Sequence, residues 1–388
     1  MNPKNITLLF FLVISLYSCK KKSTNDPVNP QESLVITDGS TCKFINASGR
    51  NDVTLGFPRN SDRQKTTGTV KVAVIFVDFS DSRAAVNPEQ VFATMSPSSE
   101  NFLTKVSHSK LNIVFEPKFK WYRMSKLSTG YSGTNLSFYD HKAFIQEAVS
   151  LADVDYDFTN TDQILIMTHP GARALSRTSA FIGQFNTGIS ADGRIITNAI
   201  TGMSDVLVSG SGFWFPHEFG HSMGAPDLYA YNGPTQGYVG DFSVMSSGWG
   251  KGPTYNAWEQ WLFGWFNDSQ VTCVRGSGTG KLQLTPVAQA DGMKLLVLPL
   301  SETSAVIVED RRRIDYDNQL PKEGPLVYLI DTKIANGEGS LKVLPIDPTD
   351  QIKTNAPLSV DQSITYGNIT VKCIASGAAG STIAYERK

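Results

Sequence analysis

His217-Glu218-Phe219-Gly220-His221-Ser222-Met223-Gly224-Ala225-Pro226-Asp227 constrains the architecture of this chain more than any other segment. Its two histidines are four apart, and on an α-helix that spacing puts side chains on one face with β-carbons about 5–6 Å apart. Two neutral imidazole nitrogens so placed grip one zinc ion, and the intervening Glu218 is aimed at a water in the open coordination position. With only five histidines in 388 residues, the spacing carries more weight than it would in a histidine-rich chain. The helix is expected to stop at Gly224, since glycine takes the left-handed C′ conformation without steric cost, and Pro226 keeps it from resuming. The turn then swings Asp227 back toward the histidines as a third ligand, leaving catalytic zinc its fourth place for water. The rival third ligand is Glu259, on a helix further downstream. The glycine turn has no purpose in that layout and so favours Asp227.

Further on, Gly240-Asp241-Phe242-Ser243-Val244-Met245-Ser246-Ser247-Gly248 holds Met245 in a tight Ser/Gly-flanked turn. In this order after the histidine motif, Met245 resembles the Met-turn methionine of metzincin proteases, whose thioether floors the ligands without binding the metal. More widely, the chain resembles the immune-inhibitor-A-type zinc metallopeptidases, a metzincin-like family of secreted endopeptidases. The segments that carry the likeness are Val72–Phe79, Asn101–Leu103 with Lys110-Leu111, the extended motif at 217–229, the Met-turn, and Asn256-Ala257-Trp258 with Gly264-Trp265. Ile307–Arg312 and Gly324–Tyr328 add to it. The resemblance implies zinc on His217, His221 and Asp227, Glu218 as general base, and protein or peptide substrates. It also implies a metzincin-like domain with a mixed sheet and an active-site helix. Two departures stand out. Several metzincins have a tyrosine two residues past the Met-turn methionine, where this chain has Ser247, and the sequence does not choose among Tyr229, Tyr231 and Tyr238 as a substitute. Asp153, Asp155 and Asp157 alternate without the glycine and downstream Glu of a calcium loop, so the spacing gives calcium no support.

A net charge of −1 and a pI near 6.5 exclude the basic excess that tracks nucleic-acid phosphates. The start reads as a targeting signal: Lys4, an apolar run from Ile6 to Tyr17 too short to span a bilayer, then Leu16-Tyr17-Ser18-Cys19. That ending resembles a bacterial lipobox, which implies cleavage after residue 18 and a lipid anchor on Cys19. Lys20 stands where an inner-membrane retention signal would place Asp, so the expectation is an exported lipoprotein of the outer membrane or cell surface. Residues 19–66 read as a polar tether and lead-in, 67–268 as the peptidase domain, and 269–388 as a β-rich, sandwich-like C-terminal domain. The fold class is α+β.

Within this frame Thr69–Phe79 and Gln163–Thr168 read as strands buried on both faces, Leu111–Met124 as a strand or hairpin, and Asp140–Ala152 as a helix. Pro88–Val106 has helical spacing broken at Pro97. Arg194–Ile200 reads as a strand before the catalytic helix, and by analogy as the edge strand to which extended substrate adds. Past the loop at Gly276, Gly278 and Gly280, short strands are expected at Lys281–Leu284, Met293–Leu300, Ala305–Glu309 and Leu326–Asp331. Beyond Cys19 three cysteines remain, and Cys273 with Cys373 are the expected disulfide, since both sit in strand-like contexts of one module. Cys42 is then an inert residue, a partner for one of the others, or an inhibitory thiolate on the zinc. His108, His141 and His169 read as hydrogen-bonded or surface histidines. Two other function classes fit the sequence: a protein- or glycan-binding lipoprotein on an inactive protease fold, and a metal-dependent hydrolase of non-peptide bonds.

Overall fold

Val35–Asp38 forms a first strand, β1, and the β-branched run that follows the lead-in forms β2 (Gly68–Asp78). The structure is a computed structural model describing residues 33–131, 136–208, 213–246, 251 and 253–388; Cys19 and Ser247 lie outside them. After β2 come α1 (Pro88–Phe92) and α2 (Ser98–Val106), separated at Pro97 because a proline ring is not accommodated within a helix. Then follow β3 (Leu111–Arg123), α3 (Phe138–Ala152), β4 (Gln163–Thr168) and β5 (Ser179–Ile182). A hairpin of β6 (Ile189–Ala191) and β7 (Arg194–Ile196) leads to β8 (Asn198–Gly202), α4 (Ser204–Leu207) and the motif helix α5 (Trp214–Ser222).

Five of these strands form one sheet in the order β3-β2-β4-β8-β5, parallel except for β5. Along β2, Val70, Val72, Val74 and Phe76 point to one face, and Ala73, Ile75 and Val77 to the other, each face joining its own core. α3 supplies Phe144, Ile145 and Ala148 to the second core, whereas α2 and α5 supply Phe102, Leu103, Phe215 and Phe219 to the first. Both faces are therefore covered, which is why the strand reads as an unbroken apolar run.

The edge strand differs from expectation. Arg194–Ile200 is not one strand: Arg194–Ile196 belongs to the hairpin, and β8 lies inside the sheet between β4 and β5. The edge is β5, which pairs antiparallel to β8 from Ser179↔Thr201 to Ile182↔Asn198. Sequence pattern alone does not report strand order, so the analogy fell on the neighbouring strand.

After α6 (Ala257–Leu262) the chain builds two facing sheets. The strands are β9 (Val271–Arg275), β10 (Gly278–Leu284), β11 (Leu295–Pro299), β12 (Ser304–Arg311), β13 (Gly324–Asp331), β14 (Leu341–Val343), β15 (Ser363–Tyr366), β16 (Ile369–Gly377) and β17 (Gly380–Arg387). One sheet runs β1-β9-β11-β12-β13-β14 and the other β10-β17-β16-β15. Val274, Leu296, Leu298, Val306 and Val308 of the first pack on Leu284, Val371, Ile383 and Tyr385 of the second. The opposite face of the six-stranded sheet, with Val297, Ile307 and Tyr328, packs into the core that holds Trp258, Trp261 and α5.

The lead-in is built into this unit from Ser33 onward. β1 pairs antiparallel with β9, and Cys42, Phe44, Val53 and Leu55 are buried. Cys42 is bonded to Cys273, 5.9 Å apart at Cα, and Cys373 is the free thiol. This corrects the expected Cys273–Cys373 bridge, and the reason is strand parity. Cys273 points from β9 into the core shared with the lead-in, whereas Cys373 points into the space between the two sheets, on the far side of the six-stranded sheet. The bridge also removes Cys42 as a thiolate ligand.

Candidate metal centre

α5 carries the two histidines as the sequence requires, and its C-terminus is a Schellman motif. The Gly224 amide donates to His221 O (2.8 Å) and the Ala225 amide to Gly220 O (2.9 Å), with Gly224 at φ +100°. Remaining carbonyls at this end are capped from the lead-in: Thr54 N to Gly224 O (2.9 Å), Gln64 N to Ser222 O (2.8 Å), and Arg59 Nη1 to Met223 O (2.7 Å). The bend returns Asp227 to the helix. Its Oδ1 lies 3.2 Å from both His217 Nε2 and His221 Nε2.

Each imidazole is oriented through its other nitrogen. His217 Nδ1 is 2.8 Å from Val244 O, and His221 Nδ1 is 2.8 Å from Ala225 O, so both Nδ1 atoms donate and both Nε2 lone pairs face inward. With no cation bound, burial opposes charge on His221, but the Asp227 carboxylate outweighs it and raises the imidazole to about 9, so a cation taking this place would displace a proton from Nε2 and expose its lone pair. Asp227 is the reciprocal case: burial resists its ionisation, and the two imidazoles nevertheless hold it well below the ordinary carboxylate range. Its Oδ1 is buried without a hydrogen-bond donor. Two inward lone pairs beside a buried carboxylate oxygen with no donor are a donor set that fits a divalent cation. Among the described residues this is the one group of three such side chains whose ligand atoms lie within 4.8 Å of one another.

Glu218 is half-buried on the same helix and lines the cleft above the three residues. Burial lifts its carboxyl above the usual range. The cleft, about 340 Å³, is also lined by the edge strand β5 at Ser179–Ile182, by Arg177, and by Arg50 and Asp52 of the lead-in. Beneath the site Met245 is fully buried against α5: a β-carbon added at Gly220 would lie 2.3 Å from its sulfur. The same turn accepts Leu228 N at Met245 O (2.8 Å) and orients His217 through Val244 O, so it fixes one histidine and the approach to Asp227 together.

The rival ligand Glu259 is elsewhere. It lies at the start of α6, where its Oε2 accepts from Ser243 Oγ (2.9 Å) and Asn256 N (3.0 Å), and Ser243 Oγ in turn accepts from Met245 N (3.1 Å). It therefore braces the turn at Met245 from behind. Around it Arg311 of β12 donates to Phe242 O (2.6 Å), Glu309 and Asp317, all fully buried. Of the three tyrosines, Tyr229 stacks on His217 and lines the cleft, Tyr231 Oη donates to Asp227 Oδ2 (2.5 Å), and Tyr238 packs away beside Lys342. His141 Nε2 meets Thr201 Oγ1 (2.8 Å) and His108 Nε2 meets Gln260 Oε1 (3.2 Å), whereas His169 Nδ1 is buried without a partner. Asp155 binds Lys120 and Tyr122, and Asp157 caps Thr159. The sequence reading missed Asn336, Arg50, Asp52 and β5, which reach the site from distant parts of the chain and carry no motif.

No protein-family model matches this chain, and no curated protein is significantly similar to it.

Proposed function

We propose that the chain is a zinc endopeptidase of metzincin-like fold that cleaves protein substrates in the cleft above α5. The observation that carries this reading is the convergence of His217 Nε2, His221 Nε2 and the donorless Asp227 Oδ1, with Glu218 beside them. Zinc held by those three side chains would supply a Lewis acid that brings the pKa of a water to about 7. Glu218, within the same cleft, takes the proton of the attacking water and delivers it to the leaving amine, and its burial moves its carboxyl toward the pH at which such a shuttle works best. β5 is the rim strand of its sheet and lines the cleft, so an extended peptide would add beside it as a further strand, while the Ala180 amide of β5 supports the Glu218 carboxylate. The side chains of His217 and His221 stay fixed throughout, because each Nδ1 is tied to a carbonyl.

The lipobox-like Leu16-Tyr17-Ser18-Cys19 supports placing this enzyme outside the cell, anchored by lipid on Cys19, and the Cys42–Cys273 bridge fits an oxidising compartment. The test is casein digestion by the purified protein with and without a zinc chelator, beside a metal analysis. One zinc per chain and chelator-sensitive cleavage are expected. Zinc without peptide cleavage would point to a hydrolase of other bonds, and neither would point to a binding protein on this fold.

A further inference from the structure

We infer that Asn336, on the loop between β13 and β14 of the C-terminal sheet, is a positioning residue for Asp227, so that the β-rich part of the chain completes the metal site. This rests on the zinc reading above. A monodentate carboxylate ligand must offer one oxygen and keep the other occupied, or it turns about its terminal bond and presents either. Asp227 Oδ2 is occupied by the hydroxyl of Tyr231 at 2.5 Å. That hydroxyl in turn accepts from Asn336 Nδ2 at 2.8 Å, and the same nitrogen lies 3.4 Å from Oδ2. Asn336 Oδ1 accepts the Asp227 amide, so one side chain holds both the backbone and, through Tyr231, the carboxylate of the ligand.

The backbone repeats the grip. Gly337 N donates to Asp227 O (3.3 Å), and Tyr231 N donates to Gly337 O (3.1 Å). Gly337, at φ +70°, lies flat on the Tyr231 ring, where a β-carbon would come within 2.4 Å of ring atoms. At its base the loop is closed by Asp331 N to Ser340 O (2.9 Å) and tied to the lead-in by Thr332 Oγ1 to Ile45 O (2.7 Å). The hand that holds Asp227 is thus anchored in the sandwich, 109 residues away along the chain. Loss of such an outer partner typically lowers metal affinity about 10–100-fold.

The test measures zinc affinity of the full chain by competition with a chromophoric chelator, and the visible absorption of the cobalt(II)-substituted protein. Asn336→Ala and Tyr231→Phe are expected to weaken zinc binding by about 10–100-fold and to shift the cobalt spectrum. Glu338→Ala, an exposed position on the same loop, is expected to change neither. Tyr231 is 48% exposed, so Tyr231→Phe should fold and decides the matter alone if Asn336→Ala does not. Zinc affinity and cobalt spectrum unchanged in a folded Asn336→Ala, or in Tyr231→Phe, while the wild type binds one zinc, would overturn the inference and leave the zinc reading intact. A wild type that binds no zinc sinks both.

Discussion

Two groups of carboxylates lie on either side of the turn at Met245, and they are built on opposite principles. In the cleft, Asp227 faces two imidazole lone pairs with an oxygen that has no donor of its own. Behind the turn, Glu309 and Asp317 face Arg311, whose guanidinium sits between them and reaches on to Phe242 O. The second cluster has its cation built in and is sealed from solvent; on the zinc reading proposed above, the first takes its cation from outside. Breaking the first should therefore cost chemistry with little cost in fold, and breaking the second should cost fold.

The largest expected effect is on the cleft side. Glu218→Gln should lower casein cleavage by about 10²–10⁴-fold, with zinc content and urea midpoint unchanged. Full activity would remove Glu218 from the proton shuttle. On the sealed side, Arg311→Met leaves Glu309 and Asp317 buried without their counter-charge, and should cost about 3–5 kcal/mol in urea unfolding. A loss below about 1 kcal/mol would show that water reaches the cluster. The boundary between the two is Gly220 against Met245. Gly220→Ala should cost about 1–3 kcal/mol by overpacking, and pairing it with Met245→Ala should recover part of that loss in a double-mutant cycle. Strict additivity would mean that the helix and the turn do not touch there.

The smallest effects are in the pH profile of stability, best measured with chelator present. Burial lifts the Glu259 carboxyl to about 8 from an ordinary 4.5. The unfolded chain loses that proton first, so the associated stability is present below about 4.5 and falls away as pH rises toward 8. Burial lowers His141 to about 4 from 6.5, so its share is present above 6.5 and is lost as pH falls toward 4. Within its window each changes stability by at most about 1.4 kcal/mol per pH unit. Glu259→Gln should flatten the alkaline limb and leave the acid limb alone; an unchanged alkaline limb would mean that Glu259 is ionised in the folded protein.

Much of the molecule was legible where its determinants are local. The strands at Gly68–Asp78 and Gln163–Thr168, the break at Pro97 and the end of α5 at Gly224 follow from pattern and stereochemistry within a dozen residues. The sequence pattern does not reveal β14, β15 and β17, shows β16 only as the strand-like context of Cys373, and points to the wrong disulfide pair, because these depend on which face of a sheet meets which neighbour. The same limit hides the edge strand: Ser179–Ile182 is only four residues long, too short for a period to show, and only its pairing with β8 makes it the rim of the cleft.

Local sequence suffices for the helix that carries His217, Glu218 and His221 and for the turn that frees Asp227 from it, since i to i+4 spacing and a glycine C′ are properties of a few consecutive residues. Tertiary structure decided the rest: that Asp227 keeps one oxygen bare, that Asn336 and Tyr231 hold the other, and that Cys42 takes Cys273. The Asn336–Asp227 and Cys42–Cys273 contacts join residues 109 and 231 apart, and their formation depends on packing sheets and a helix around one core, which no short window of sequence encodes.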